Sequence, residues 1–385
     1  MELNRQAMQL ARTQLPTALA ERIERRQEEI EARDRQWGAD RVRVYSYMEN
    51  LGWPPLFGFD FNRFYSDPDF MFEQELRQRI FWLDNTVGDD QAGWGMAPTT
   101  GFYWDITLFG QHITTTPGGV PEFQPHPLAQ ARDLKALDRF RFHDSGDMPL
   151  LRRQFDALQR LSTDEAGGRV TVEFPRFTRG PLDIFVQLRG YERFVEDVTE
   201  APAFVHAALA LLVDERTRFN RERAAWLGEA FPPAATFVAD DWINPPFISP
   251  AIFRTFVIPA YRRIQDAEGR VEGFHTCGPL GALVGDLLAA FPGIGTLDVS
   301  GWNDVAALDQ AVDPAIAFHC QVRNVTVLAG PESEHRQLLA GLRQVAGRRR
   351  LAVGAQSIVM LHQDLAENFR RLNHFIQLAR VLLAR

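Results

Sequence analysis

VEGFHTCGPLGALVGDLLAAFPGIGTLDVS, residues 271–300, reads as strand, helix, strand. Its ends, VEGFHTC (271–277) and GTLDVS (295–300), are short apolar runs followed by small or polar residues. The segment between them has helical composition. This order makes a parallel βαβ unit, whose crossover is right-handed. The texture repeats outward in both directions. VTVEF (170–174) and ATFVADD (235–241) precede it; AIAFHC (315–320) and LAVGAQS (351–357) follow. Helical stretches such as SPAIFRTFVIPAYRRIQDA and SEHRQLLAGLRQVAG lie between most of them. Strands expected near LFGFDF (56–61) and FYWDITL (102–108) bring the count to about eight. Eight strands, 385 residues and no GxGxxG motif favour an α/β chain folded as a (β/α)8 TIM barrel over a doubly wound sheet.

Residues 1–45 differ from the rest. LAERIERRQEEIEARDRQW (19–37) has dense alternating charge and no Gly or Pro. It reads as an N-terminal helical extension, either solvated or serving as an arm for a homodimer. The barrel is expected over 46–385. Residues 191–230 read as two helices broken near Pro202.

Composition narrows the function. The chain has 42 Lys+Arg against 50 Asp+Glu, a net charge of −8, which disfavours nucleic acid as a partner. Lys135 is the one lysine, and no GK[ST] phosphate loop occurs, so a lysine Schiff base is not expected. Two cysteines, Cys277 and Cys320, in so large a chain suggest a reduced, cytoplasmic protein. The N-terminus has no apolar core of a signal peptide. The longest apolar run, Ala207–Val213, falls far short of the ~20 residues a bilayer needs. A small-molecule substrate is the natural expectation.

In a TIM barrel the active site lies at the C-terminal strand ends. Those ends carry Glu173, Asp240, Asp241, His275, Cys277, Asp298, His319, Cys320 and Gln356. His275 and Cys277 are two apart, so on a strand they face one side. Imidazole and thiolate together make half of a zinc site, although a buried His beside a small free thiol is also common in cores. Cys320 is the favoured third ligand and the adjacent His319 the alternative, since neighbouring strand residues point opposite ways. Glu173 could be an oxygen ligand that leaves when substrate binds. Asp240 or Asp241 could orient substrate or a metal-bound water, or else cap a turn and meet an arginine. Arg176 and Arg179 could instead clamp an anionic substrate of a metal-free lyase or decarboxylase. Trp94, Phe102, Tyr103 and Trp104 read as pocket lining or as core.

Over residues 45–380 the chain resembles the uroporphyrinogen decarboxylase superfamily. It is more similar to the branch of zinc-dependent methyltransferases that move methyl groups between corrinoid proteins and thiols such as coenzyme M. The resemblance rests on WDITLFG, the block from Gly180 to Leu211, DDWINPPFISPAIFRTFVIPAYRRI, HTCG, PESEHRQLLAGLRQ and LAVGAQSIVMLHQDLAENFRRL, in that order. It implies a TIM barrel with a deep cleft at its C-terminal face. It also implies Zn2+ at His275 and Cys277, a thiol acceptor and a corrinoid, onium or ether methyl donor, the corrinoid being carried by a partner protein. No Arg-rich porphyrinogen-gripping motif stands near Met48–Phe61, so porphyrinogen decarboxylation is not implied. The family's later cysteine, in a Gly-Cys element on the last strand, is Ala355 here, within Gly354-Ala355-Gln356. Either Cys320 replaces it from a neighbouring strand, or zinc is held with His, Cys and oxygen donors, or no metal binds; the missing cysteine also leaves open a non-catalytic binding barrel. An ether donor would need an acid, for which Asp240, Asp241 and His319 are candidates.

Overall fold

The computed structural model describes residues 2–384 apart from 91, 92, 124, 131, 138 and 139. Ten strands occur among them: β1 Arg43–Met48, β2 Gly95–Met96, β3 Ile113–Thr115, β4 Pro121–Phe123, β5 Thr171–Val172, β6 Thr236–Ala239, β7 Val271–His275, β8 Thr296–Val299, β9 Ala317–Val322 and β10 Leu351–Ile358. Six form one parallel sheet in the order β1-β10-β9-β8-β7-β6. β2 and β5 pair in parallel, and Arg179 makes a parallel bridge to Ala239 beside β6. β3 and β4 are an antiparallel hairpin outside this wall. The result is a curled, TIM-like parallel sheet with helices on its outer side.

Eight strands run parallel, but two are not where the aromatic runs suggested. LFGFDF falls in the helices Pro54–Phe57 and Phe61–Ser66, and FYWDITL contains the helix Trp104–Thr107. Asp60 caps the second helix by accepting from the Asn62 N–H. Phe59, Phe61, Phe64 and Tyr65 pack on one another there, so ring packing overrides their strand preference. The remaining parallel strands are β1 and β2. β1 begins inside the stretch read as helical; its alternation of part-exposed Arg43 and Tyr45 with buried Val44, Ser46 and Met48 is the strand signal.

The free edge of β1 is occupied by side chains. Val44 N–H donates to Asp89 Oδ2 (2.9 Å), and Ser46 N–H donates to Asp90 Oδ1 (2.6 Å). Two carboxylates thus satisfy donors that a neighbouring strand would otherwise take. Asp89 is 2% exposed and also receives Arg41 through two nitrogens (2.7 and 2.9 Å) and Arg33 (3.0 Å).

The N-terminal helix Leu15–Trp37 is not a free arm. It buries Leu15, Ala18, Leu19 and Ile30 together with Arg22 and Arg26, and lies on the helix Pro68–Asn85. Arg26 donates to the carbonyls of Leu83, Thr86 and Gly88, which caps the C-terminal end of that helix with positive charge. The dense charge that reads as solvation is partly spent on burial, because arginine stems pack while their heads bond. No helix among the described residues is long and apolar enough to cross a membrane.

Asp89 yields a stability prediction. Burial alone would raise its pKa, but hydrogen bonds from Arg41 and Val44 and the charge of Arg380 overturn that and lower it. A lowered folded pKa means the stabilisation is complete above the ordinary carboxylate value of about 4 and is lost as the pH falls below it. Asp89→Ala takes from the buried guanidiniums of Arg41 and Arg380 the carboxylate they share, leaving Arg41 with Asp34 as its carboxylate partner, and should cost about 3–5 kcal/mol in denaturant unfolding at neutral pH. The difference from wild type should shrink as the pH is lowered toward 3, with roughly equal stabilities expected where the carboxylate is protonated.

Candidate functional site

Strand register builds the site. Ala239 pairs with His275, Asp298 with His319, and His319 with Ala352. Phe274 pairs with Leu297, so the next residues, His275 and Asp298, are neighbours. His275, Asp298 and His319 therefore stand side by side on β7, β8 and β9. On β9, His319 and Gln321 are part-exposed, whereas Phe318, Cys320 and Val322 are buried in the apolar core. The row of polar side chains faces the barrel interior, and the alternate residues face the helices.

The row is tied by short contacts. His275 Nδ1 lies 2.7 Å from Asp298 Oδ2. The Gln321 amide donates to both Asp298 oxygens, at 2.8 and 2.7 Å. His319 Nδ1 is 3.8 Å from Asp298 Oδ1. On its other edge, His275 Nε2 lies 3.4 Å from Cys277 Sγ and 3.5 Å from Asp241 Oδ1. Cys277 N–H donates to Asp241 Oδ1 at 3.2 Å. A Cβ on Gly278 would come within 2.3 Å of the Asn244 side chain, so glycine lets the loop after β7 lie directly on the loop after β6. That close approach seats Cys277 against Asp241.

Asp241, His275 and Cys277 each offer one ligand atom, and these atoms all lie within 4.8 Å of one another. Nitrogen, sulfur and oxygen donors converge, so the group could hold a metal ion. The local charge fits a cation. Partial burial and the nearby carboxylates of Asp241, Asp183 and Asp298 push the Cys277 thiol well up. Burial pushes Asp183 up to about 6; Asp241 adds to this and Arg179 opposes it. For His275, burial works against the charged form, but the hydrogen bond and charge of Asp298, with Asp241, outweigh it and raise the pKa. His319 is lowered by burial despite Asp298. Like charges facing one another favour whatever neutralises them.

The other sequence candidates lie elsewhere. Cys320 is 2% exposed in the hydrophobic core and is not part of the converging group, as strand alternation requires once His319 faces inward. Asp240 points away from Asp241 into the helical layer. It is fully buried, and its Oδ2 accepts from Tyr261 OH (3.1 Å) and Leu182 N–H (3.2 Å). Burial first, then the charge of Asp183, push its pKa well above the usual carboxylate range, and it stands at the start of the helix Pro181–Arg189. Glu173 follows β5, is exposed, and is not among the converging ligands. The side chain of Gln356 lies outside the described residues.

Arg179 is consumed internally. Its Nε lies 3.0 Å from both Asp105 oxygens; its two terminal nitrogens reach Asp183 (2.7 Å) and the Phe102 carbonyl (2.6 Å). It is 6% exposed under the Phe102 and Tyr103 rings, and so has no face left for an anionic substrate. Arg176 is half-exposed, 3.8 Å from Glu229. Trp104 packs on Phe177 and Phe219 as core; Phe102 and Tyr103 line a cavity of about 270 Å3 with Tyr65 and Asp147. Trp94 packs partly buried against the core. Gln321 and Asp183 were not anticipated. The spacing of two from His319 was the available signal for Gln321; nothing in GPLDIF marked Asp183.

Comparison with known proteins follows this geometry. No curated protein matches the chain in sequence. A methyltransferase from Methanosarcina mazei is similar in structure, with a TM-score of 0.61 over 88% of this chain and 94% of that one. Their sequences are 15% identical, so the likeness is one of fold. Residues 103–350 match the family described as uroporphyrinogen decarboxylase (URO-D). That span runs from the Phe102–Tyr103 aromatics to the start of β10 and covers more than half of the sequence; the chain belongs to the URO-D family.

Proposed function

We propose that the protein is a zinc-dependent methyltransferase that passes a methyl group to a thiol acceptor. One observation carries this reading: three donors of the types zinc prefers converge at C-terminal strand ends, with the carboxylates of Asp183 and Asp298 nearby. Asp241, His275 and Cys277 would hold the ion. When bound, Zn2+ supplies the positive charge that lowers an acceptor thiol's pKa toward neutrality. The acceptor sulfur then attacks the methyl carbon in line, forming the S–C bond as the bond to the donor breaks. Ala355 in place of the family's cysteine leaves the set with one protein thiolate, and Asp241 supplies an oxygen donor in its stead.

The chain's own residues favour one type of donor. An ether requires an acid at the leaving oxygen. Asp240 is sealed behind Tyr261 and Leu182, Asp241 belongs to the donor group, and burial lowers the pKa of His319, which disfavours its protonated ring. A methylcorrinoid on a partner protein, or an onium compound, needs no such proton and suits this site better. The lyase reading loses its anion clamp, because every nitrogen of Arg179 is bound to protein.

Purified protein should contain zinc in near-stoichiometric amount by elemental analysis. His275→Ala and Cys277→Ala should lose it, and Cys320→Ser should keep it. A metal-free wild type that takes up no zinc, or retention by His275→Ala, removes the basis of the proposal. Zinc affinity should also depend on pH. The pKa values of His275 and Cys277 are both raised in the metal-free protein, so protons compete for the ligands. Chelator competition should show tighter binding at each step from about pH 6 to about pH 9, and a flat profile would contradict the assignment.

A further inference from the structure

We infer that Asp298, anchored by Gln321, is a positioning residue that decides which ring nitrogen His275 presents to the metal-ligand group. In part this rests on the metal reading, but the tautomer itself does not. An ionised carboxylate is an acceptor without a hydrogen to give. At 2.7 Å from Asp298 Oδ2, Nδ1 of His275 therefore carries the ring hydrogen. Nε2 is left with its lone pair, and Nε2 is the atom beside Cys277 Sγ and Asp241. A simple ion pair would be satisfied by either nitrogen. Here both edges of the ring face a carboxylate, but Asp298 Oδ2 is in hydrogen-bond contact with Nδ1 at 2.7 Å, whereas Asp241 Oδ1 stands 3.5 Å from Nε2.

Gln321 holds that acceptor in place. Its amide nitrogen donates to both Asp298 oxygens, so the carboxylate meets donors on two sides: Gln321 and His275. Parallel register places all the partners, because Asp298 pairs with His319 and Gln321 lies two residues further along the same face of β9. Ligand histidines are commonly fixed this way, and loss of the supporting carboxylate typically weakens metal binding by about 10–100-fold.

Asp298→Ala tests the idea. Alanine leaves His275 Nδ1 without an acceptor, and the acceptor that remains near the ring is the Asp241 carboxylate, 3.5 Å from Nε2. The ring hydrogen should then move to Nε2, which removes the lone pair from the ligand group.

The experiment is 15N NMR of histidine rings in the full-length metal-free protein at about pH 9, well above the ordinary imidazole pKa of about 6.5. His275→Gln assigns the signal. Wild type should show the Nδ1–H form and Asp298→Ala the Nε2–H form, whereas Gln321→Ala, which keeps the carboxylate, should remain Nδ1–H. In parallel, chelator competition with zinc should show affinity reduced about 10–100-fold in Asp298→Ala and less in Gln321→Ala. A change of tautomer is not what a merely structural role produces. An Nδ1–H ring in Asp298→Ala, together with unchanged affinity, overturns the inference. If wild type binds no zinc, the metal reading falls, and the ring hydrogens still decide this one.

Discussion

Parallel register across β7, β8 and β9 is the constraint on which the site depends. Strand side chains alternate faces, so a shift of one residue in any of these strands would turn His275, Asp298 or His319 into the helical layer and bring Phe274, Leu297 or Cys320 inward. The apolar set on the outer face fixes the choice. Phe274, Leu297, Val299, Phe318 and Cys320 are at most 2% exposed, and burying them is what makes slippage costly. The polar row is thus held in place by the hydrophobic effect acting on the opposite side of the same strands.

Charge is distributed with a matching logic. At the base of the N-terminal helix, Arg33, Arg41 and Arg380 converge on Asp89, and the surplus positive charge is absorbed by backbone carbonyls such as those receiving Arg26. At the C-terminal strand ends the balance is reversed. Asp105, Asp183, Asp240, Asp241 and Asp298 gather there, and Arg179 binds just two of them. Burial disfavours the charged form of Asp240. Asp241 and Asp298 stand beside a histidine and a thiol, a surrounding that would favour a cation.

Much of this was legible in the sequence, for identifiable reasons. Apolar runs alternating with helical stretches revealed six of the parallel strands, since buried parallel strands read as continuous hydrophobic segments. The two-residue spacing of His275 and Cys277 revealed their convergence. What stayed hidden depended on tertiary contacts. The aromatics at 56–61 and 102–108 have strand preference but sit in helices, because ring-on-ring packing decides there. β1 lay behind a charged helix and was masked by it. Cys320 and His319 presented a choice of face that depended on which neighbour was apolar across the sheet. Asp240 and Asp241, adjacent in sequence, have opposite surroundings that composition cannot separate.

The interior adds a further consequence. TIM barrels ordinarily fill their interiors with layers of bulky side chains. Here Ala239, Gly273, Ala317 and Ala352 occupy the inner face, and Phe237 remains 39% exposed. A cavity of about 560 Å3 results, lined by Phe237, Gly273, Thr296, Asp298 and His319. Ala235, Arg270, Gly295 and Arg350 line it as well, and they immediately precede β6, β7, β8 and β10, so the cavity opens at the N-terminal face. Asp298 therefore stands between two compartments, with the converging donors on one side and water-accessible space on the other. The small residues at those inward positions are thus part of the site, because they leave the open space that Asp298 and His319 border.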